Sequence, residues 1–281
     1  MVHGSFRRGC LAAISILCLP LFGHAQNEVP DKAQVVQQMR MLYNTPTTAG
    51  LRSVSCRATV DWRGVLQSAA VGKDVAENDP RLVYLNQVSI SFRFRLDGNS
   101  EANWDAPSGP VPGDAAALRR MKEGTEQMLG GFSKLWAVFL NGTALPSPQE
   151  QEFHLTRAGD GGFLLALSQG ITSLDETFSA DYTLKEYHVK TNGTEIDLFP
   201  TFAKSAEGLL LTRLDGTYGT GSPVSTHLTL RGDYQEVGGY QVLSSLNVAL
   251  LNVGQFNFKF ENCQVNQDDA HPNAPAPNKS N

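Results

Sequence analysis

Alternation of apolar and polar residues dominates the second half of the chain, in short runs that turn residues separate. A period of two is typical of half-buried strands, and glycine-containing pairs between such runs favour tight hairpin turns. The predicted strands are 151–157, 162–168, 179–190, 194–202, 207–215, 225–236, 240–250 and 254–263. The predicted turns fall at Asp160-Gly161, Asn192-Gly193, Asp215-Gly216 and Gly238-Gly239. Consecutive hairpins of this kind predict an antiparallel meander.

Three more strands are predicted in the first half. Alternation over 54–62 indicates a half-buried strand, and the clearest alternation in the chain covers 88–96. Asp97-Gly98 then predicts a tight turn into a return strand over about 101–104. The polar segment 64–80 is predicted to be a loop.

Two segments carry their apolar residues at helical spacing. Asp31 is placed to cap a short amphipathic helix over 32–43, with Gln34 three residues later as its capping-box partner. A second helical stretch runs over 114–140, and Gly130-Gly131 is expected to break or kink it. Its last part is apolar almost all round and must therefore lie against an apolar surface.

Runs of strands combined with separate helices predict the α+β class, with helices packed on a curved antiparallel β-sheet. We predict one domain over 26–265, with a helical insertion near 114–141. The segment 266–281 is rich in proline, asparagine and alanine and is predicted to be a disordered tail.

Residues 1–25 have the three parts of a cleavable export signal. The basic pair Arg7-Arg8 precedes an apolar run over 11–22, and the small residues Gly23 and Ala25 follow. We predict cleavage after Ala25 and a periplasmic location, with secretion as an alternative. Because the run is shorter than the roughly 20 residues that span a bilayer, a retained anchor is disfavoured and no transmembrane segment is expected in the mature chain.

The charge of the chain limits its partners. The full sequence of 281 residues has a net charge of −5, and loss of Arg7 and Arg8 with the signal makes it more negative. An acidic chain is a poor match for phosphate backbones, so we expect no nucleic-acid partner.

Two cysteines, Cys56 and Cys263, lie beyond the predicted signal. An oxidising compartment favours a disulfide between them, and two buried thiols are the alternative. A disulfide requires α-carbons within about 7 Å, which would join the first strand to the last. Because strict alternation places Cys263 opposite the face shared by Phe256, Phe258 and Phe260, the bond requires a β-bulge near residues 261–262.

Few residues suggest chemistry. The histidines after the signal are scattered and none has metal-ligand spacing, so neither a metal site nor a cofactor is expected; they are His154, His188, His227 and His271. No Gly-x-Ser-x-Gly elbow is present. The acidic pair Asp175-Glu176 is interpreted as solvated loop residues, and the glycines at 216–221 as a hairpin connection rather than a phosphate loop.

The feature that stands out is an extensive apolar face. Its predicted ligand-binding residues are Val88, Ile90, Phe92, Phe94, Trp136, Leu228, Leu230, Leu246, Phe256 and Phe258. Two interpretations remain open: an ordinary core between sheet and helices, or a curved sheet too wide for the helices to fill, which leaves a cavity for an apolar ligand.

The closing strands resemble those of a known family. The segments 182–189, 192–194 and 209–214, the motif Tyr-Gln-Glu-Val-Gly-Gly-Tyr at 234–240 and the run Phe-Asn-Phe-Lys-Phe-Glu-Asn-Cys at 256–263 carry the likeness. They resemble the outer-membrane lipoprotein-sorting proteins of the LolA/LolB type. The resemblance implies a curved antiparallel half-barrel, with helices covering a concave apolar face that holds acyl chains. The helical insertion near 114–141 and the tail are additions to that plan.

These patterns lead to a functional hypothesis. We expect a periplasmic carrier of the lipoprotein-sorting type that binds a lipid, an acylated molecule or another hydrophobic ligand without chemistry. The alternative is a non-catalytic structural or interaction module of the cell envelope, with an envelope protein as its partner. An outer-membrane barrel is a third option, which the internal helices and the polar tail disfavour. An enzyme with a site hidden in scattered loops is a further, less favoured class.

Overall fold

The computed structural model describes residues 31–69, 74–140, 145, 153–219, 226–251 and 254–267. The predicted export signal lies outside these residues, as does the predicted tail beyond Gln267. The helices are α1 (Lys32–Leu42), α2 (Trp62–Ala69), α3 (Pro80–Leu85) and α4 (Ala115–Leu140). The strands are β1 (Ser53–Val60), β2 (Ser89–Arg95), β3 (Ser100–Asp105), β4 (Phe153–Arg157), β5 (Phe163–Gln169), β6 (Thr172–Phe178), β7 (Leu184–Thr191), β8 (Thr194–Ser205), β9 (Gly208–Gly219), β10 (Thr226–Val237), β11 (Tyr240–Leu250) and β12 (Gly254–Val265).

The twelve strands of the described residues form one open antiparallel sheet, which confirms the predicted α+β class and the meander. The strand order is β3-β2-β1-β12-β11-β10-β9-β8-β7-β6-β5-β4. Every neighbour from β4 to β12 follows its predecessor in sequence, as the hairpin turns predict. The non-local pairing is β1 with β12, which joins the N-terminal three strands to the end of the meander.

Helix α4 makes the connection between the two ends of the sheet. It follows β3 at one edge and precedes β4 at the other. Its 26 residues give a length of about 39 Å at 1.5 Å per residue. Twelve strands at about 4.8 Å spacing form a sheet roughly 50 Å wide, so most of the crossing is made by the helix itself.

One face of the sheet meets the helices, and the core lies between them. The buried side chains Ile90, Leu230, Leu246 and Phe258 alternate with outward-facing polar residues along their strands. Trp136 of α4 is 2% exposed. Burial of such alternating faces is what holds a sheet and a helix together, at roughly 25 cal/mol for each Å² of apolar surface removed from water.

The predicted loop over 64–80 is wrong in part, because two short helices occupy its ends. Asp61 accepts a hydrogen bond from the backbone N–H of Gly64 at 3.2 Å. Trp62, which was predicted to end the first strand, is instead the first residue of α2. Asp79 caps α3 through the N–H of Arg81 at 2.9 Å, with a proline at the first helical position. Both helices bury apolar side chains that a polar-loop interpretation overlooked.

Two strand boundaries also differ from the sequence prediction. The predicted strand 179–190 covers a turn and β7, while β6 lies before it and includes Asp175 and Glu176, for which the sequence predicts a loop. The predicted turn at Asp215-Gly216 is wrong, since both residues lie inside β9. A Cβ at Gly216 would come within 2.5 Å of the Asp197 carbonyl oxygen, so this glycine permits close backbone approach instead of a turn.

The expected break of α4 at Gly130-Gly131 is also wrong, because the helix continues through both residues. Gly130 lies where the helix crosses β3, and a Cβ there would be 3.7 Å from the Ser100 hydroxyl. Packing against the sheet therefore overrides the weak helix propensity of the two glycines.

The predicted disulfide and its bulge are both present. Cys56 and Cys263 have sulfur atoms 2.07 Å apart and α-carbons 4.1 Å apart. The register between β1 and β12 shifts between Ser55 and Arg57, and Asn262 has a φ of 52°. The extra residue turns the Cys263 side chain onto the apolar face, and the bond ties β1 to β12.

Candidate functional site

The predicted ligand-binding residues lie on the helix-covered side of the molecule, but they do not form one site. Phe92, Phe94 and Trp136 line a common cavity. Phe256 lines a separate groove. The other buried members, Val88, Ile90, Leu230, Leu246 and Phe258, belong to the continuous core, and Leu228 is half-buried at its margin.

The cavity beneath α4 is apolar and small. It is bounded on the helix by Phe132 and Trp136 and on the sheet by Phe94, Tyr234 and Val242. Its volume is about 40 Å³, which is space for on the order of three water molecules. A long hydrocarbon chain does not fit there while the helix stays in this position.

Aromatic side chains form the contact layer between α4 and the sheet. The Trp136 ring lies 5.1 Å from Phe132 and 6.0 Å from Tyr234, measured between ring centroids. Near the C-terminal end of the helix, Phe139 lies 6.0 Å from Tyr187 and 6.5 Å from Phe202. The backbone of α4 comes close to the sheet mainly at β3. Over the other strands the helix therefore rests on large side chains.

Gly232 on β10 makes room for this layer. A Cβ at this position would be 2.7 Å from Leu243 Cδ2 and 3.3 Å from Trp136 Cη2. A side chain at this position would force Leu243 and Trp136 to shift, so glycine serves close packing here and not an unusual backbone conformation.

An open groove lies beside the covered cavity. Its volume is about 630 Å³, and it runs between α2, α4 and the ends of β11 and β12. Val65, Met121, Met128, Leu250 and Phe256 give it an apolar lining. Methionine side chains are flexible and polarisable, so such a surface can adapt to ligands of different shape.

Glu176 on β6 is a residue whose importance the sequence interpretation missed. It is 0% exposed, and neither carboxyl oxygen has a hydrogen-bond partner within the described part of the chain. Burial raises its pKa well above the usual value of 4.5. The expectation that Asp175-Glu176 is a solvated loop pair is therefore wrong for Glu176, while Asp175 is exposed on the opposite face.

The environment of Glu176 is apolar and aromatic. Across the sheet its direct neighbours are Leu165 on β5 and Tyr187 on β7. Burial, followed by the charge of Glu176, raises the pKa of Tyr187 to about 12. Tyr43 lies close enough for that same charge to contribute, after burial, to its raised pKa. The Tyr43 hydroxyl is occupied by the backbone, since it accepts from Leu184 N at 2.7 Å and donates to Tyr182 O at 3.2 Å.

The alternation within β6 was the signal that could have identified Glu176. Leu174, Glu176 and Phe178 are spaced by two residues and share one face. A carboxylate in an apolar row indicates a buried charge, but the acidic neighbour Asp175 made the segment resemble a surface loop.

The outward face of the sheet holds a polar cluster that lacks the order of a catalytic triad. Asp197 hydrogen-bonds His188 Nδ1 through one oxygen and accepts from the Thr217 hydroxyl at 3.1 Å through the other. His188 Nε2 faces Glu195 at 3.5 Å. In nucleophilic catalysis the histidine stands between the carboxylate and the hydroxyl, whereas here the carboxylate is central and the histidine activates no hydroxyl.

The other predicted polar residues are dispersed. His154 lies on β4 and His227 on β10, while His271 lies outside the described residues. Within the described ranges no cluster of three or more histidine, cysteine or acidic residues is arranged to hold a metal ion. Among the helices that the structure describes, none combines the length and the apolar character needed to cross a membrane.

Comparisons with known proteins identify no relative. No protein-family model matches this chain, and neither the curated proteins nor the solved structures give a significant match.

Proposed function

We propose that this protein binds and carries a lipid, an acylated molecule or another apolar ligand between α4 and the sheet, without chemistry. The observation that carries the proposal is the way α4 crosses the sheet. The helix rests over its C-terminal half on Phe132, Trp136 and Phe139, which face Tyr234, Tyr187 and Phe202 of the sheet. Large side chains can change rotamer and contact a ligand instead of the sheet. A helix whose backbone packs directly on the sheet leaves no such freedom.

The architecture supports a carrier of the lipoprotein-sorting type. A sheet of twelve strands whose two edges are joined by one helix is suited to curve into a half-barrel, with the helices on its concave face. The concave surface is then the apolar face that carries Phe92, Phe94 and Phe258. An exported protein of this design operates in the periplasm, where it shields its ligand from water.

The groove beside α4 is the route by which a ligand reaches the covered cavity. Met121 and Met128 line it from the helix, and Phe256 lines it from the sheet. Outward movement of α4 would join the groove to the cavity around Trp136. The hydrocarbon chain of the ligand then replaces aromatic contacts, and burial of its apolar surface provides the binding energy.

The proposal is tested on protein exported and purified under native conditions. We expect organic extraction and mass spectrometry to recover a lipid or other apolar molecule in roughly stoichiometric amount, and native mass spectrometry to show the matching mass increase. The control is the same protein unfolded in denaturant, washed and refolded. Absence of any bound molecule, together with no binding of the apolar dye Nile red by the refolded protein, would overturn the proposal.

A non-catalytic structural or interaction module of the envelope is the second candidate. The observation that favours it is the small size of the cavity, about 40 Å³, because the apolar face is then filled by the protein's own side chains. This candidate predicts that neither lipid nor dye is bound, and the same experiment therefore separates the two functions.

A further inference from the structure

Glu176 is a buried carboxyl group for which the described fold provides no hydrogen-bond partner. Across the β6–β7 pair its direct neighbour is Tyr187. We propose that Glu176 and Tyr187 form a head-group site for an apolar molecule that ends in a primary amine. This inference rests on the proposed function, since the hydrocarbon part of that molecule would lie beneath α4.

The state of Glu176 in the free protein explains why a ligand would be favoured. Burial without a partner strongly disfavours the ionised carboxylate, so the side chain stays protonated and still lacks hydrogen bonds. Leucine or glutamine would occupy nearly the same volume as Glu176, and neither side chain carries a charge that burial removes from water. A buried carboxyl group at this position is favourable when a ligand provides the hydrogen-bond donors that the protein does not.

An ammonium group is the head group that satisfies it most completely. It carries three N–H donors and a positive charge, so both carboxylate oxygens gain hydrogen bonds and the buried charge is neutralised. The ring of Tyr187, which lies 6.0 Å from that of Phe139, adds an aromatic face for the cation. A carboxylate or phosphate head would instead bring a second negative charge, and a hydroxyl satisfies only part of the group.

The position of Glu176 links it to the ligand site. Tyr187 contacts Phe139 near the C-terminal end of α4, so the carboxyl group lies on the sheet face that this helix covers. An amine bound there would direct its hydrocarbon chain along the helix toward Trp136.

Binding would also move a proton. An alkylamine is already an ammonium ion in neutral water, while burial favours the protonated form of Glu176 in the free protein. Formation of the ammonium–carboxylate pair therefore displaces this proton to solvent. A merely structural Glu176 would give no such release.

The experiment compares decylamine with decanol, both below their aggregation concentrations, as competitors of Nile red on the refolded protein at pH 7. We expect decylamine to displace the dye at a tenfold or more lower concentration than decanol. In Glu176→Gln the concentrations of decylamine and decanol that displace the dye should come within twofold of each other, because the amine loses its carboxylate partner. Asp175→Asn removes one carboxylate from the adjacent exposed position and should keep the preference. Calorimetry in buffers of different ionisation enthalpy should show proton release on decylamine binding to the wild type and none in Glu176→Gln.

The outcomes separate the two proposals. Equal displacement by both compounds, or an amine preference that survives Glu176→Gln, overturns the head-group site and leaves the apolar-ligand function in place. Failure of both compounds and of the dye to bind overturns both proposals.

Discussion

Glu176 places a single carboxyl group in an otherwise apolar row of β6, and this one residue determines the properties of its surroundings. Leu174, Glu176 and Phe178 share a face of β6, yet Glu176 differs from its neighbours in carrying an ionisable group. The sequence pattern contained this information, but Asp175 beside it made a loop the simpler interpretation. Only the pairing of β6 with β5 and β7 reveals that the second acidic residue is covered on all sides.

The raised pKa of Glu176 predicts a particular pH dependence of stability. Above the ordinary value of 4.5 the unfolded chain loses this proton while the folded protein retains it, so rising pH favours unfolding. Glu176→Gln carries no ionisable group and should remove this dependence, so its stability relative to the wild type should increase from pH 5 to pH 8. Urea denaturation at both pH values measures it, with Asp175→Asn as the control. Parallel changes in wild type and Glu176→Gln would contradict the burial of an unpaired carboxyl.

Gly232 provides a second test at the residue scale. Gly232→Ala places a methyl group 2.7 Å from Leu243 Cδ2 and 3.3 Å from Trp136 Cη2, so both side chains must shift and we expect a loss of about 1 kcal/mol from overpacking. Gly124→Ala is the matched control, because nothing lies within 4 Å of the added methyl group and the residue is helical. That control should gain about 0.5–1 kcal/mol. Thermal unfolding of the two variants measures the difference, and equal stability would contradict the close packing of Gly232 against Leu243 and Trp136.

At the scale of elements, local patterns predicted the strands better than the short helices. Alternation identified most strands because their faces are half buried, and it failed at Trp62, where the apolar side chain begins α2 rather than ending β1. The helix α4 was predicted, but its continuity through Gly130-Gly131 depends on packing against β3 and could not be derived from propensity. The cavity beneath it was equally beyond the sequence, since its size depends on how Phe132 and Trp136 pack.

The disulfide is the element-scale feature with the largest expected effect. It closes a sequence separation of 207 residues between β1 and β12. In the chain-entropy model the double substitution of Cys56 and Cys263 by alanine lowers the free energy of unfolding by up to about 5 kcal/mol. Guanidinium denaturation measures the loss, and thiol labelling of the unfolded wild type should detect no free thiol from this pair. Labelling of both cysteines would contradict the bond.

At the scale of the whole molecule, the turns predict the meander from β4 to β12, but they do not predict the pairing of β1 with β12. Hairpins fix the neighbours from β4 to β12, but no local signal states that β1 pairs with β12. The cysteine pair was the one clue to that contact. Because β1 pairs with β12, β3 and β4 lie at opposite edges of the sheet, and the connection through α4 must cross it. The position of this helix over the apolar face is thus a consequence of topology.

The central claim is that an apolar ligand enters when α4 moves away from the sheet, and a cross-link between the two tests it. Cysteines in place of Ser100 on β3 and Gly130 on α4 are well placed to bond, because a Cβ at Gly130 lies 3.7 Å from the Ser100 hydroxyl oxygen. The control is the double variant Ser100→Ala with Gly130→Ala, which packs similarly but cannot be cross-linked.

The decisive measurement is the binding of Nile red, with displacement by decanol, to these two refolded variants. We predict that the control binds dye and decanol as the wild type does, while the cross-linked protein loses at least 90% of the decanol-displaceable binding, roughly 1.4 kcal/mol or more. Equal binding by both variants would contradict movement of α4 as the route to the apolar face.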